Sequence, residues 1–177
     1  MTKEVFNKTE KLYHYTSFDC GINILKTKEL YFAELKNMND INESYRNICY
    51  GDTISEDEIK TELSKYKQCS LTKDSQNKGF NIPAMWGHYA VKGTGMCIVF
   101  NKEKILPTQN NIFYHDIKYD ASYDSSIIID RNIKQSFKDH RNSLFFTKTN
   151  DWSYEQEYRI LKYDASNSQR IRLLEPI

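Results

Sequence analysis

Late in the chain, the stretch WSYEQEYRI (residues 152–160) carries two carboxylates two residues apart, Glu155 and Glu157, and then Arg159. Its aromatic content reads as a strand. Strand alternation puts Glu155, Glu157, Arg159 and Leu161 on one face, with Tyr154, Gln156, Tyr158 and Ile160 on the other. Solvent or a cross-strand charge partner accounts for such a face without any chemistry. The chemical alternative is a carboxylate pair held rigidly beside a cleft, where mutual repulsion raises one pKa and makes a base.

His14 poses the same choice early in the chain. It sits on the short strand KLYHYT, just before a capped helix. It is either a hydrogen-bonded structural imidazole or a polar group at the mouth of a cleft. In MWGHYA the spacing of Met85, Trp86 and Tyr89 is that of helical core packing, which leaves His88 to point outward. KGTG lacks the lysine and following helix of a phosphate loop and reads as a turn. A thiol nucleophile would need Cys20 or Cys69 beside His14, and nothing local marks either as activated.

Several elements must position these groups. Leu12, His14 and Thr16 share one face of the first strand. Thr16 or Ser17 caps the next helix, whose stripe is Phe18, Ile22 and Leu25. ELYFAEL is a second strand, and NMNDINES is a turn-rich loop in which Asn39, Asp40 and Glu43 either bind a ligand or cap the next helix. SEDEIKTELSKYK is a helix with Ser55 and Glu58 in a capping box. Strands follow at QCSLT, MCIVF, NIFYHDIKY, LFFTKT, YEQEYRILKY and RIRLL; helices fall at PAMWGHYA and at about 125–140. This pattern predicts an α+β fold in one domain, residues 1–177 with a core at about 11–175: a mainly antiparallel, split β-sheet flanked by helices.

Composition bounds the function. The 177 residues carry a net charge of +1, too little for a global field that attracts nucleic acid. No apolar run approaches the roughly 20 residues needed to cross a bilayer, and the N-terminal stretch is too polar for a signal peptide. The expectation is a cytoplasmic protein with no membrane partner. Its four cysteines, Cys20, Cys49, Cys69 and Cys97, are expected reduced and mostly buried, and with the histidines equally dispersed no metal site is expected.

Four stretches, LYHYTS, NMNDINE, MWGHYAVKGTGMCIVF and KTNDWSYEQEYRI, occur in this order over residues 12–160. Together they resemble the bacterial family filed as domain of unknown function 2971. More distantly, LYHYTSFDCGINILKTKEL resembles the opening of ADP-ribosyltransferases of the His…Ser/Tyr…Glu type, and EQEYRILKYD resembles their closing strand. Lys28, Glu29 and Leu30 depart from the glycine-leucine that many of those enzymes carry.

That resemblance implies NAD as substrate. His14 would hydrogen-bond a ribose hydroxyl, with Tyr15 and Thr16 beside it. Glu157 would hold the nicotinamide ribose and stabilise charge at its anomeric carbon, and Glu155 would take the proton of the incoming nucleophile. Ser70, Tyr31 or Tyr89 would border the nicotinamide. The implied activity is ADP-ribosyl transfer to a protein, DNA or RNA acceptor, in the manner of a toxin or phage-defence effector, with an antitoxin or regulatory partner. The alternatives are a non-catalytic nucleotide- or partner-binding module and, third, a metal-dependent nuclease or hydrolase built on Asp40, Glu43 and Glu157.

Overall fold

The computed structural model describes residues 10–44, 48–105, 109–122, 127–166 and 168–173. Its first half runs β1 (Lys11–Thr16), α1 (Phe18–Thr27), β2 (Glu29–Tyr31), β3 (Ala33–Glu34), α2 (Ile41–Ser44), β4 (Cys49–Tyr50), α3 (Glu56–Leu63), β5 (Tyr66–Lys73) and α4 (Pro83–Tyr89). The second half runs β6 (Met96–Asn101), α5 (Lys102–Ile105), β7 (Ile112–Asp116), β8 (Lys118–Asp120), β9 (Ile128–Ile129), α6 (Ile133–Asp139) and α7 (Arg141–Phe145). It closes with β10 (Thr147–Thr149), a 3-10 segment (Asn150–Glu155), β11 (Glu157–Tyr163) and β12 (Arg170–Arg172). The fold is α+β and mainly antiparallel.

The principal sheet has the order β6-β1-β5-β11-β7, with β3 also paired to β5. Its central strand β5 is buried along most of its length, as a strand covered on both faces must be. One face, with Leu12, Leu71, Ile98, Tyr158 and Ile160, packs with Ile24 of α1. The other carries Tyr66 and Leu161 against Ile59 of α3, Phe137 of α6 and Phe145 of α7. Tyr13 and Tyr15 pack with Ile82, Met85 and Ala90 around α4.

The sheet is split. β1 pairs with β6 at six positions, but with β5 at only two, Leu12↔Lys73 and Tyr13↔Thr72. Past Tyr13 the two strands continue without pairing to each other. β5 and β11 stay paired over seven positions, from Glu157↔Thr72 to Tyr163↔Tyr66.

Local signals explain most elements. Ser17 caps α1, accepting from Cys20 N at 3.2 Å, so the cap is Ser17 and not Thr16. Ser55 and Glu58 form the expected capping box on α3. The expected α1 stripe is corrected. Gly21 and Ile24 face inward, whereas Phe18 is 57% and Leu25 43% exposed. The contact with β6 is too close for a large side chain, because a Cβ on Gly21 would lie 1.9 Å from Met96 Sδ.

Further expectations fail: ELYFAEL and NIFYHDIKY each divide into two strands, and the helix expected over SEDEIKTELSKYK ends at Leu63, before β5. LFFTKT is not one strand: residues up to Phe145 form α7, whose Phe145 ring stacks on Tyr66 with centroids 4.5 Å apart, and the strand starts at Thr147. The helix expected over 125–140 is confined to Ile133–Asp139 and capped by Asn132. Before it the β-branched run forms β9, parallel to β4. Residues 125 and 126, and 174 and 175 of the expected core, lie outside the described residues.

Candidate functional site

The fork between β1 and β5 opens into a cavity of about 710 Å³, within the size range of small-ligand sites. His14, Tyr15 and Thr16 reach it from β1, Ser70 from β5, Tyr31 from β2, Tyr89 from α4, Glu155 from the 3-10 segment and Glu157 from β11. Every residue singled out in the sequence for catalysis or cofactor binding therefore lines one hollow.

Their roles in it differ. His14 Nδ1 lies 3.4 Å from the Ser70 carbonyl and so bridges the fork. Burial holds its imidazole below the ordinary pKa, and the Ser70 carbonyl only partly offsets this. Ser70 is exposed to the cavity. Tyr15 donates its hydroxyl to Gly79 O at 2.6 Å, and its ring packs edge-on against Trp86. Tyr31 is half exposed, with its hydroxyl donating to Gln169 Oε1 at 3.0 Å.

Glu155 and Glu157 do not share a strand. Glu155 ends the 3-10 segment, Gln156 adopts a left-handed conformation (φ 47°), and β11 begins at Glu157. The Gln156 side chain fixes this kink, donating to Lys73 O at 2.7 Å and Asn77 O at 3.0 Å and accepting from Asn77 N at 2.9 Å. Nor does their face meet solvent. Glu155 is 3%, Glu157 2% and Arg159 0% exposed.

Buried carboxylates need counter-charges. Arg159 donates from Nε to Glu157 Oε1 at 2.7 Å and from Nη2 to Glu157 Oε2 at 2.9 Å, while Nη1 donates to Phe145 O at 2.6 Å. Arg159 also pairs with Glu43. Lys148 Nζ lies 2.7 Å from Glu155, 2.8 Å from Glu157 and 3.7 Å from Glu43. Three carboxylates thus face two cations.

The imbalance separates the two glutamates. For Glu157, burial pushes the pKa up, but Arg159 and Lys148 outweigh it and hold the acid well below the carboxylate range. For Glu155, burial dominates and raises the pKa, with Glu157 adding to the rise, against Lys148 and the Tyr89 hydroxyl. Tyr89 donates to Glu155 Oε1 at 2.5 Å and is itself hydrogen-bonded by Asn39. Tyr119 Oη accepts the Glu157 N–H at 2.8 Å.

Of the two parts the sequence left open, Asp40 takes the turn, whereas Glu43 takes neither and serves as an internal counter-charge. Asp40 Oδ1 accepts from Asn42 N at 2.9 Å in a turn, while Glu43 joins the ion cluster. Arg159 bonds both Glu43 and Glu157, where the metal reading would put an ion. Among the described residues no group of three or more His, Cys, Asp or Glu is arranged to hold a metal.

The expectation of mostly buried thiols is corrected: Cys20 and Cys49 are exposed, Cys97 is half-buried and Cys69 alone is buried. Burial and the Glu157 charge push the Cys69 thiol up to about 12, which removes it as a nucleophile near neutral pH. Sequence reasoning missed Lys148, and Gln68, which donates to Glu43 at 3.4 Å. Lys148 opens the same motif, but only the burial of Glu155 and Glu157 shows that they need more counter-charge than Arg159 supplies.

Residues 85–160 match the family described as "Protein of unknown function (DUF2971)". The match takes in Tyr89, Lys148, Glu155, Glu157 and Arg159; His14 and Ser70 lie before it. No curated protein and no solved structure matches significantly. Among the described residues no helix is long and apolar enough to cross a membrane.

Proposed function

We propose that this protein transfers ADP-ribose from NAD to a macromolecular acceptor, a protein or nucleic acid, as a toxin or phage-defence effector would. One observation carries the reading: His14, Ser70 and Glu157, drawn from three separate segments, line one nucleotide-sized cavity at a fork in the sheet. The reaction breaks the bond between nicotinamide and the ribose anomeric carbon and forms a bond from that carbon to an acceptor oxygen or nitrogen.

The chain's residues divide the work. His14, neutral near pH 7, can donate or accept a hydrogen bond at a ribose hydroxyl. Glu157 stays ionised, accepts a hydroxyl of the nicotinamide ribose and fixes its position. Glu155, whose pKa is raised, takes the acceptor's proton. Lys148 and Tyr89 hold Glu155 for that task.

The test is incubation with NAD labelled in turn on nicotinamide and on adenine, with protein, DNA and RNA acceptors. Nicotinamide release coupled to transfer, lost in His14→Ala and Ser70→Ala, is the expected result. Absence of both release and transfer with every acceptor defeats the reading. Glu157→Gln is a poor single test, because it leaves buried Arg159 and Lys148 short of charge and costs stability as well as chemistry.

One observation favours a second reading, a nucleotide-binding module without turnover. Glu157 is engaged by two cations, which blunts the field it can exert on a developing positive charge. Saturable NAD binding with no nicotinamide released would support that module.

A further inference from the structure

Carboxylates outnumber cations along the cavity, and the excess is greatest at its buried end. Its buried end holds Glu43, Glu155 and Glu157, with Lys148 and Arg159 already engaged by them. A phosphate brought there would meet surplus carboxylate. Lys148 and Arg170 are the lysine and arginine among the described residues lining the cavity. Arg170 lies at its exposed end, with a side chain 56% accessible.

Arg170 pairs directly across the β12–β2 ladder with Tyr31, so the two side chains share one face. The Tyr31 hydroxyl, bonded to Gln169, holds the ring in place. Among the described residues Arg170 pairs with Glu29, at 3.3 Å from Nη1, an exposed pair that binds weakly. A guanidinium in this state is ready to exchange its carboxylate for a phosphate, which it grips at two points.

We propose that Arg170, flanked by Tyr31, is the diphosphate subsite of this cavity, with the Tyr31 ring as the platform for the attached base. This rests on the NAD reading and adds direction to it: the diphosphate lies at the open end and the positively charged nicotinamide ring at the carboxylate end. Glu29 competes with the ligand for Arg170.

The experiment measures affinity for ADP and for NAD at low salt in the wild type, Arg170→Gln and Glu29→Gln, with melting curves as fold controls. Arg170→Gln should weaken both ligands about 10- to 100-fold, the range for a lost charged hydrogen bond. Glu29→Gln should tighten both by about 2- to 5-fold, because it frees the arginine. Opposite signs are the mark of competition; if both variants weaken binding alike, the pair is structural and the subsite is wrong. NAD binding that Arg170→Gln leaves unchanged sinks the subsite while the cavity reading stands. A wild type that binds neither ligand removes both.

Discussion

Glu157 and Arg159, two residues apart on β11, are joined at both carboxylate oxygens in a place solvent does not reach. Such a pair contributes little against a well-packed apolar substitute, yet is costly to break from one side. Arg159→Met should therefore lower the unfolding free energy by about 3–5 kcal/mol in urea titrations, since Glu157 and Glu43 lose one of the two cations they share. Arg159→Lys should recover only part of this, because an ammonium cannot reproduce the two-point grip or the bond to Phe145 O. A melting point unchanged in both variants would show that the cluster is not held as described.

Lys148 governs the pH response of Glu155. Burial already raises the Glu155 pKa, and Lys148 is the largest influence opposing that rise. A carboxyl with a raised folded pKa binds a proton more readily folded than unfolded, so its ionisation costs stability as pH rises through that window. Lys148→Met removes the opposing charge and widens the window upward. The variant should be destabilised most near neutrality and regain part of the loss as pH falls toward the ordinary carboxylate range. Denaturant midpoints between pH 5 and 8 check this; a deficit independent of pH would mean that Lys148 does not control Glu155.

His14 sets a slope of its own. Its folded pKa lies below the ordinary 6.5, so the unfolded chain takes up its proton first on acidification. The stability from a neutral, half-buried imidazole is full above about 6.5 and is lost as pH falls toward the folded value. An NMR titration should place the midpoint below 6.5. His14→Asn should flatten the decline in melting temperature between pH 7 and 5. A midpoint above 6.5 would show that the ring is solvated or paired with an acid.

Period and turn chemistry carried much of this architecture to the sequence level. The alternation of KLYHYT, the Ser55–Glu58 capping box and Pro83 at the start of α4 are local devices, and each stands where its chemistry put it. That His14, Ser70 and Glu157 share a cavity was not legible in the local pattern, because the pairing that ends at Tyr13 depends on contacts far apart in the chain. The Glu155–Glu157 juxtaposition was anticipated for the wrong reason: strand alternation predicts it, but a left-handed Gln156 produces it. Lys148 was missed because a lysine between threonines looks like a solvated position until the buried carboxylates beside it are known.

The cysteines report on the cavity from outside the ion cluster. Cys20 is exposed and lines it, Cys49 is exposed elsewhere, and Cys69 is buried with its thiol pushed up to about 12. Iodoacetamide at pH 8 should label Cys20 and Cys49 in the native protein and Cys69 only after unfolding. Saturating NAD should slow labelling of Cys20 and leave Cys49 unaffected. Equal protection of both thiols, or of neither, would argue against occupancy of the fork.

Two glycines eight positions apart should answer the same substitution with opposite sign. Gly87 lies inside α4 with open space where a Cβ would project, so Gly87→Ala should stabilise by about 0.5–1 kcal/mol through helix propensity. Gly95 precedes β6, where an added Cβ would sit 2.2 Å from the Thr16 carbonyl oxygen and 3.0 Å from Ala90 backbone atoms. None of these can swing aside as a flexible side chain would. Gly95→Ala must move the end of β1, and with it the wall that Thr16 gives the cavity, at a cost of about 1–3 kcal/mol. Thermal melts of the two variants decide it: a neutral or stabilising Gly95→Ala would show that β1 and the turn before β6 are not packed this closely.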